Sequence, residues 1–561
     1  MHAFFPFIVR HSAALLAGLA GLSCAAARTA APPSATTAAI TEEDLRTRLF
    51  LIADDSMMGR ESGSRGAFVT PDYVAAEFRR LGLEPAGDNG TYFQTVPFWT
   101  AAVDARSRLQ SGGTALVLGR DFVPASIGAA PRTLTGVPTV YGGPVTDTTR
   151  WISSEQAAGK LVVLDLPPGL PMRGVPLGNP RWRSATAIAA VVLDVVGPEA
   201  VARLRAGRPV PDSTRNPNAI PLLWISRRAA SALLGGDPSS LAPGAMGSPL
   251  DGYVDIARSP VSYPARNVVA ILRGSDPAVR GQYVALTAHN DHVGFDRAPV
   301  DHDSLRAFNR VVRPMGADSP QRQPSDAEWA AIRTILDSLR RVHPPRLDSI
   351  RNGADDDGSG TVSILEIAEA MARAPTRPRR SVLFVSHTGE EAGLLGSRWF
   401  TDHPTVPTDS IVAEIDQDMI GRGTPSDYPR GGTGAGSATY LEVIGAKRLS
   451  REFGDSVEAA NARQPVPFVF DYTYDAPGHP LQYYCRADHY SYARYGIPSL
   501  AMSRGEHLDY HQVTDEAQYI SYPDLARVSR MVHAAALSIA NMTHRPQLDV
   551  PKPDPRGQCR Q

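Results

Sequence analysis

The feature that most constrains the fold is an alternation of apolar, β-prone runs with amphipathic helical patterns over residues 262–545. The runs at 283–288, 381–386 and 411–415 have the length and composition of buried strands. Strands that alternate with helices form a sheet whose two faces are covered by those helices. We therefore predict an α/β fold for this part of the chain.

Residues of metal-binding type follow these runs. They occur in five short segments, which are His289-Asn290-Asp291, Asp355-Asp356-Asp357, Glu390-Glu391, Asp416-Gln417-Asp418 and Asp509-Tyr510-His511. Ligands of open α/β sheets gather beyond the carboxyl ends of the strands, so these segments can converge. An apolar stripe at helical spacing over 362–372 predicts that the second segment opens a helix.

Composition excludes several classes of protein. With 561 residues, of which 42% are hydrophobic, the chain is long enough for two or more domains. A net charge of −1 without a basic block argues against nucleic acid as a partner. The three cysteines have no Cys-x-x-Cys spacing, so a metal site must use nitrogen and oxygen ligands. Cys485 and Cys559 could pair in an oxidising compartment or remain free thiols.

The N-terminus resembles an export signal over residues 1–27. Arg10 and His11 precede a short apolar stretch at 13–22, which is too short to span a bilayer. Cleavage after Ala27 would release the protein to the periplasm or the medium. The segment 21–24 is an imperfect lipoprotein signal, which would instead leave a lipid anchor at Cys24. We expect no transmembrane helix, and the oligomeric state stays open.

Changes in residue composition along the chain predict its division into domains. Residues 28–40 form an Ala/Thr/Pro linker, a helix starts at Thr41, and another covers 72–81. Short β-prone runs at 136–141, 160–166, 187–196 and 220–225 predict a separate small domain. Residues 296–350 form a polar insertion with an amphipathic helix at 326–342, which is either a pocket wall or a surface excursion. The Pro-rich tail 546–561 is expected to be flexible.

Together the five segments resemble the bacterial leucyl aminopeptidase family of dizinc exopeptidases, which also includes glutamate carboxypeptidases and glutaminyl cyclases. The resemblance covers about 41–100 and 265–540, and residues 116–261 resemble an inserted protease-associated domain. It implies a three-layer α/β/α zinc-exopeptidase domain with a mixed sheet, built from 41–115 and 262–545 and interrupted by the smaller β-rich domain. Two zinc ions and a peptide substrate are implied as well.

The resemblance implies a role for each candidate site residue. Asp356 would bridge both metals; a shift of one residue would select Asp355 or Asp357 instead. His289 and Asp418 would complete one zinc, and Glu391 and His511 the other. Asp291 would orient His289, and Glu390 would be the general base. Asp488, His489 and Tyr490 are expected to contact substrate.

Other histidines receive a structural interpretation. Because consecutive residues of a strand alternate faces, we expect His292 to point away from the metals and to pack or support the site. His387 is interpreted as a packed, hydrogen-bonded residue, and Asp301-His302-Asp303 as solvated. We expect an aminopeptidase. A carboxypeptidase with Arg486 or Arg504 as carboxylate clamp and a glutaminyl cyclase are the alternatives.

Overall fold

In the computed structural model, which describes residues 36–166, 179–210, 215–320, 322–342, 344–428 and 436–561, the predicted strands pair in one mixed sheet. The signal at 1–27, the anchor at Cys24 and most of the linker 28–40 lie outside these ranges. The helices of the described residues are α1 (Glu42–Ile52), α2 (Arg65–Arg80), α3 (Ser154–Ala157), α4 (Leu193–Ala206), α5 (Arg227–Leu234), α6 (His302–Val312), α7 (Asp326–Leu339), α8 (Gly360–Arg373), α9 (Leu395–Asp402), α10 (Arg451–Ala462), α11 (His489–Ala493) and α12 (Tyr522–Ala540).

The strands follow in three groups along the chain. Two edge strands of the main sheet come first, β1 (Glu84–Pro85) and β2 (Phe93–Val96). The next group builds two smaller sheets from β3 (Trp99–Val103), β4 (Arg108–Ser111), β5 (Thr114–Leu116), β6 (Phe122–Pro124), β7 (Arg132–Pro144), β8 (Leu161–Asp165), β9 (Ala187–Val191), β10 (Arg208–Val210), β11 (Leu222–Ile225), β12 (Met246–Val254) and β13 (Ile256–Pro260). The last group is β14 (Ala265–Leu272), β15 (Tyr283–His289), β16 (Phe295–Asp301), β17 (Leu347–Ile350), β18 (Ser381–His387), β19 (Ile411–Gln417), β20 (Tyr440–Ile444), β21 (Val469–Asp471) and β22 (Ser499–Ser503).

The main sheet has the order β1-β14-β18-β15-β19-β22-β20-β21, with β2 also paired to β14. Strands β18, β15, β19 and β22 run parallel, whereas β14 and β20 are antiparallel to their inner neighbours. Every residue of β15, β18 and β19 is buried, because helices cover both faces. The predicted three-layer α/β/α arrangement with a mixed sheet is confirmed.

Two apolar cores lie on opposite faces of this sheet. The larger one packs α1, α2, α8, α10 and α12 against one face, with Leu49, Phe78 and Leu365 fully buried. The other contains Phe400 of α9 and Tyr492 of α11. The strands therefore end in a fixed layer between two helical layers, and the residues that follow them are held at one edge.

A second sheet lies in the part of the chain between β2 and β14. Its strand order is β5-β4-β12-β7-β8-β9-β11-β6, and it has its own apolar cores. This region is rich in strands, as the short β-prone runs predicted. The limits 116 and 261 of an inserted domain stay a prediction. The run at 187–196 is only half strand: it is β9 up to Val191, and α4 begins at Leu193.

Two further expectations need correction. Helix α2 begins at Arg65 rather than at 72, because Ser64 caps its N-terminus and the helix accommodates Pro71 in its second turn. The tail 546–561, expected to be flexible, packs on the rest of the chain. Cys559 forms a disulfide with Cys485, with a Cα–Cα distance of 5.9 Å, and Gln561 accepts a hydrogen bond from the backbone N–H of Tyr484 at 2.9 Å.

The insertion is a β16–β17 hairpin with α6 and α7 between its strands. It contacts the loop that carries His511: Asn309 donates to the Leu508 carbonyl at 2.9 Å, and the Ala317 N–H donates to the Tyr510 carbonyl at 3.0 Å. No helix among the described residues combines the length and the apolar character that crossing a bilayer requires.

Candidate metal centre

The ends of two neighbouring parallel strands bring the first ligand group together. Strand β15 ends at His289, and β19 is followed directly by Asp418. The Nε2 atom of His289 lies 3.2 Å from Oδ1 of Asp356 and 3.7 Å from Oδ1 of Asp418. These three residues can therefore share one metal ion.

A second group lies on the other side of Asp356. Its Oδ2 atom is 3.0 Å from Nε2 of His511, which is itself 3.0 Å from Oε1 of Glu391. Asp356 thus presents one oxygen to each group, the geometry that a bridging carboxylate requires. Neither Asp355 nor Asp357 is part of a group among the described residues.

His292 belongs to the second group, contrary to our expectation. Its Nδ1 atom lies 2.9 Å from Oε1 of Glu391 and 3.7 Å from Oδ2 of Asp356. The prediction assumed that the strand continues past His289, so that neighbouring residues alternate faces. Strand β15 in fact ends at His289, and His292 forms a separate β-bridge with Glu61.

The donor set fits two zinc ions. Zinc takes histidine nitrogen and carboxylate oxygen ligands at 2.0–2.2 Å, so that ligand atoms of a tetrahedral site lie about 3.3 Å apart. Several buried ligand atoms have no hydrogen-bond partner: Nε2 of His289, both ring nitrogens of His292, Oδ2 of Asp356, Oε1 of Glu391, Oδ1 of Asp418 and Nε2 of His511. Buried polar atoms without partners are costly, and a cation at each group would satisfy them.

The turn that carries Asp356 is held from two sides. Oδ2 of Asp515 accepts hydrogen bonds from the backbone N–H groups of Asp355 and Asp356, at 3.0 and 3.1 Å. The buried Arg60 donates to the carbonyls of Asn290 at 3.0 Å and Gly353 at 2.8 Å, and so ties this turn to the β15 loop. Sequence reasoning missed both residues, since neither stands in a periodic pattern or beside a ligand.

The charge of Asp356, the candidate bridging carboxylate, follows from the residues around it. Burial opposes ionisation of Asp356, yet His292, His289 and His511 face the carboxylate and hold its pKa well below the usual range. Asp356 is therefore an anion available to both metal positions.

Asp291 connects a ligand with the predicted base. Its backbone carbonyl lies 3.1 Å from Nδ1 of His289, and its carboxylate Oδ1 is 3.7 Å from the same nitrogen. A proton on Nδ1 leaves the lone pair of Nε2 for metal. The same Oδ1 accepts the backbone N–H of Glu390 at 3.1 Å.

Glu390 lines the cavity beside both groups without belonging to either. Burial raises the pKa of its carboxyl well above the usual value, and the neighbouring Glu391 and Asp488 act in the same direction. A carboxyl group with high proton affinity at the rim of a metal centre can accept a proton from a bound nucleophile.

A cavity of about 640 Å³ opens from the metal centre. Of the three residues expected to contact substrate, Tyr490 lines it. Asp488 and His489 do not, because both side chains are buried at the start of α11. Two residues that sequence reasoning overlooked, Glu442 and Glu506, line the cavity instead; as single acidic residues they carry no recognisable signal.

The two candidate carboxylate clamps differ in availability. Arg504 is fully buried and donates to backbone carbonyls, among them Arg422 at 2.8 Å and Ser437 at 3.0 Å. Arg486 lines the cavity but is paired with Asp318 at 2.9 Å. A substrate carboxylate would have to displace Asp318 from Arg486 or bind the same guanidinium group beside it.

Other histidines behave as supports. His387 lies 3.0 Å from the hydroxyl of Tyr492, as expected of a packed residue. The segment Asp301-His302-Asp303 is not solvated, since His302 is 2% exposed and Asp303 6%. His302 approaches Asp348 at 3.1 Å and Glu516 at 3.8 Å, and Arg346 neutralises both of these carboxylates.

Comparisons with known proteins agree with this centre. Residues 267–536, which contain both ligand groups, match the sequence profile of Peptidase family M28. The chain is 31% identical over 196 residues to leucine aminopeptidase 1 of Penicillium rubens, and 30% over 203 residues to that of Coccidioides posadasii. Each match covers 34% of this chain and 47% of the relative, so the chain spans about half the length of these relatives.

Similar solved structures cover more of the chain at lower identity. An aminopeptidase from Aneurinibacillus sp. strain AM-1 has a TM-score of 0.48 and 14% identity, covering 88% of this chain and 93% of its own. A zinc aminopeptidase from Bacillus subtilis has a TM-score of 0.47 and 16% identity, with 89% and 95% covered. Residues 267–536 are therefore similar in sequence to peptidase family M28.

Proposed function

We propose that the protein is a zinc-dependent exopeptidase, an aminopeptidase that removes N-terminal residues from peptides with two zinc ions per chain. One observation carries this proposal: two ligand groups share Asp356 at the wall of a cavity that Glu390 also lines. The names of the curated relatives support the same activity.

The reaction divides between the metal and this chain's own residues. Zinc supplies Lewis acidity, which lowers the pKa of a bound water from 15.7 to about 7 and polarises the scissile carbonyl. Glu390 accepts the proton of the attacking water on its carboxylate and later delivers it to the leaving amine. Asp291 holds this base in place through the Glu390 N–H.

An N-terminal amine suits this cavity better than a C-terminal carboxylate. Its walls carry the acidic residues Glu390, Glu391, Glu442 and Glu506. Both candidate clamps of the carboxypeptidase alternative are engaged, Arg504 with the backbone and Arg486 with Asp318. A glutaminyl cyclase uses one zinc, whereas here two ligand groups share Asp356.

The test of the mechanism is Glu390→Gln. We expect this variant to bind zinc in the same amount as the wild type and to lose peptide hydrolysis by about 100-fold to 10,000-fold, the range of a general base. Glu458→Gln is a matched control outside the cavity. Hydrolysis by Glu390→Gln at the wild-type rate would refute the assignment of the base.

The end of the peptide that shortens is tested separately. The wild-type protein is given one peptide with an acetylated amine and one with an amidated carboxyl end, and the products are read by mass spectrometry. We expect only the amidated peptide to lose residues. Shortening of the acetylated peptide alone would establish the carboxypeptidase alternative, and ammonia release from an N-terminal glutamine the cyclase.

We also propose that the protein is exported through the signal at 1–27. The disulfide between Cys485 and Cys559 supports an oxidising compartment. N-terminal sequencing of the exported protein should give a chain that starts at Arg28. A lipidated chain that starts at Cys24 would establish the anchored form instead. Residues 116–261 are proposed to be a protease-associated domain inserted in the catalytic one.

A further inference from the structure

Two glutamates lie away from the metal ligands in the same cavity. Glu442 is in β20, opposite Ser503 of β22, and Glu506 is in the loop after β22. Strand β22 pairs in turn with β19, the strand that Asp418 follows. Glu442 is therefore two strand spacings, about 10 Å, from the strand that carries a metal ligand.

Both side chains are largely buried, and one of them keeps an oxygen without a hydrogen-bond partner. Glu442 is 3% exposed and accepts a hydrogen bond from the Tyr440 hydroxyl at 2.8 Å. The side chain of Glu506 is 9% exposed, and its buried Oε2 atom has no hydrogen-bond partner. The nearest cation, Arg486, is 3.8 Å from Oε1 of Glu506 and is already paired with Asp318 at 2.9 Å.

Burial raises the pKa of Glu442 to about 8, and the nearby Glu506 raises it further. Glu506 also has a pKa raised to about 8, with burial as the largest cause and Asp318 as a further one. Two buried carboxyl groups that repel each other are served by one distant arginine, which is paired elsewhere. A ligand that brings a positive charge would relieve both.

The cavity that contains these carboxyl groups also has apolar walls. Met419, Ile444, Ala501 and Met502 line the same cavity. At Gly505, with φ of +92°, an added Cβ would lie 2.8 Å from Oε1 of Glu442, so glycine lets the chain pass close to this carboxyl. A cavity that combines apolar walls with carboxyl groups matches a long aliphatic side chain with a charged tip.

We propose that Glu442 and Glu506 form a subsite for the side chain of the substrate's N-terminal residue and select lysine or arginine there. This inference rests on the proposed aminopeptidase function and names its substrate class. The aliphatic part of the side chain packs against the two methionines, and the cationic tip binds between the two carboxylates. An anionic side chain finds no cationic partner at these two groups, because the neighbouring Arg486 is paired with Asp318 at 2.9 Å.

The test compares lysyl and norleucyl p-nitroanilides, which differ in the terminal ammonium group. We expect the zinc-loaded wild type to hydrolyse the lysyl substrate with a kcat/KM about 10- to 100-fold higher, as for a hydrogen bond between charged groups. In Glu506→Gln and Glu442→Gln this ratio should fall toward one, because kcat/KM falls much more for the lysyl than for the norleucyl substrate.

Glu458→Gln is the matched control, since Glu458 accepts a hydrogen bond from Tyr472 at 2.7 Å as Glu442 does from Tyr440, but lies outside the cavity. It should keep the wild-type ratio. A wild type that prefers the norleucyl substrate, or a ratio unchanged in both cavity variants, would overturn the subsite and leave the aminopeptidase function standing. Absence of hydrolysis of either substrate by the wild type, with two zinc ions bound, would refute the proposed function itself.

Discussion

Nδ1 of His292 lies 2.9 Å from Oε1 of Glu391, and both atoms are buried without a hydrogen-bond partner. This contact makes the two metal positions unequal. One is surrounded by His292, Asp356, Glu391 and His511, and the other by His289, Asp356 and Asp418. The group with three protein residues would leave a zinc ion one coordination position for water or substrate, as catalytic zinc sites do.

His292→Phe should weaken one of the two zinc ions. Phenylalanine keeps a ring of similar size but offers no lone pair, so we expect the affinity for one zinc equivalent to fall by about 10-fold to 100-fold or more. Zinc titration against a chelating indicator measures both equivalents. His489→Phe, at a buried histidine outside both groups, is the control. Two equivalents of unchanged affinity in His292→Phe would show that His292 does not bind metal.

Asp515→Ala should loosen the turn that carries Asp356. The variant loses the acceptor of two backbone N–H groups, and hydrogen bonds to a charged group contribute about 1.5 to 3 kcal/mol each. We expect the free energy of unfolding to fall by about 3 kcal/mol and zinc binding to weaken. Asp427→Ala removes another partner of Arg422 without touching this turn, and it should keep zinc affinity. Equal zinc affinity in both variants would contradict the positioning role.

Chelation should lower the melting temperature of the wild type. A ligand that binds only the folded state stabilises it by about 4.1 kcal/mol at a concentration 1,000 times its Kd. Without metal, the carboxylates around Asp356 repel one another in a buried site. Calorimetry before and after removal of zinc, followed by its re-addition, measures the effect. An unchanged melting temperature after complete removal would argue against a metal at these groups.

Glu442→Gln should stabilise the protein at alkaline pH. Burial raises the pKa of Glu442 from 4.5 to about 8, so the folded state binds this proton more tightly than the unfolded state. That stabilisation is fully present below pH 4.5 and is lost as the pH rises through about 8. The glutamine variant has no such proton, so its stability relative to wild type should rise between pH 5 and 8 by up to about 1.4 kcal/mol per pH unit.

Urea unfolding of both zinc-loaded proteins at pH 6 and pH 9 measures this difference. A difference in unfolding free energy that is the same at both pH values would contradict the buried, protonated state of Glu442. If the difference follows the expectation, the ionised glutamate costs stability above about pH 8.

The strands at the centre of the site were predictable because they are buried on both faces, which forces continuous apolar runs such as β15, β18 and β19. The ligand segments after these runs were predictable for the same reason. The position of His292 was not predictable, since the direction of its side chain depends on where β15 ends and on the backbone path of the next three residues. Likewise, the position of Glu506 depends on a loop.

The sequence by itself determined the layered α/β fold and the segments that can bind metal, because periodicity and residue chemistry are local properties of the chain. Only the tertiary structure decided that Asp356 faces both groups, that His292 joins Glu391, and that Glu442 and Glu506 share a cavity with them. These contacts join residues up to 219 positions apart, such as His292 and His511. They arise from the packing of strands and loops, which no local pattern encodes.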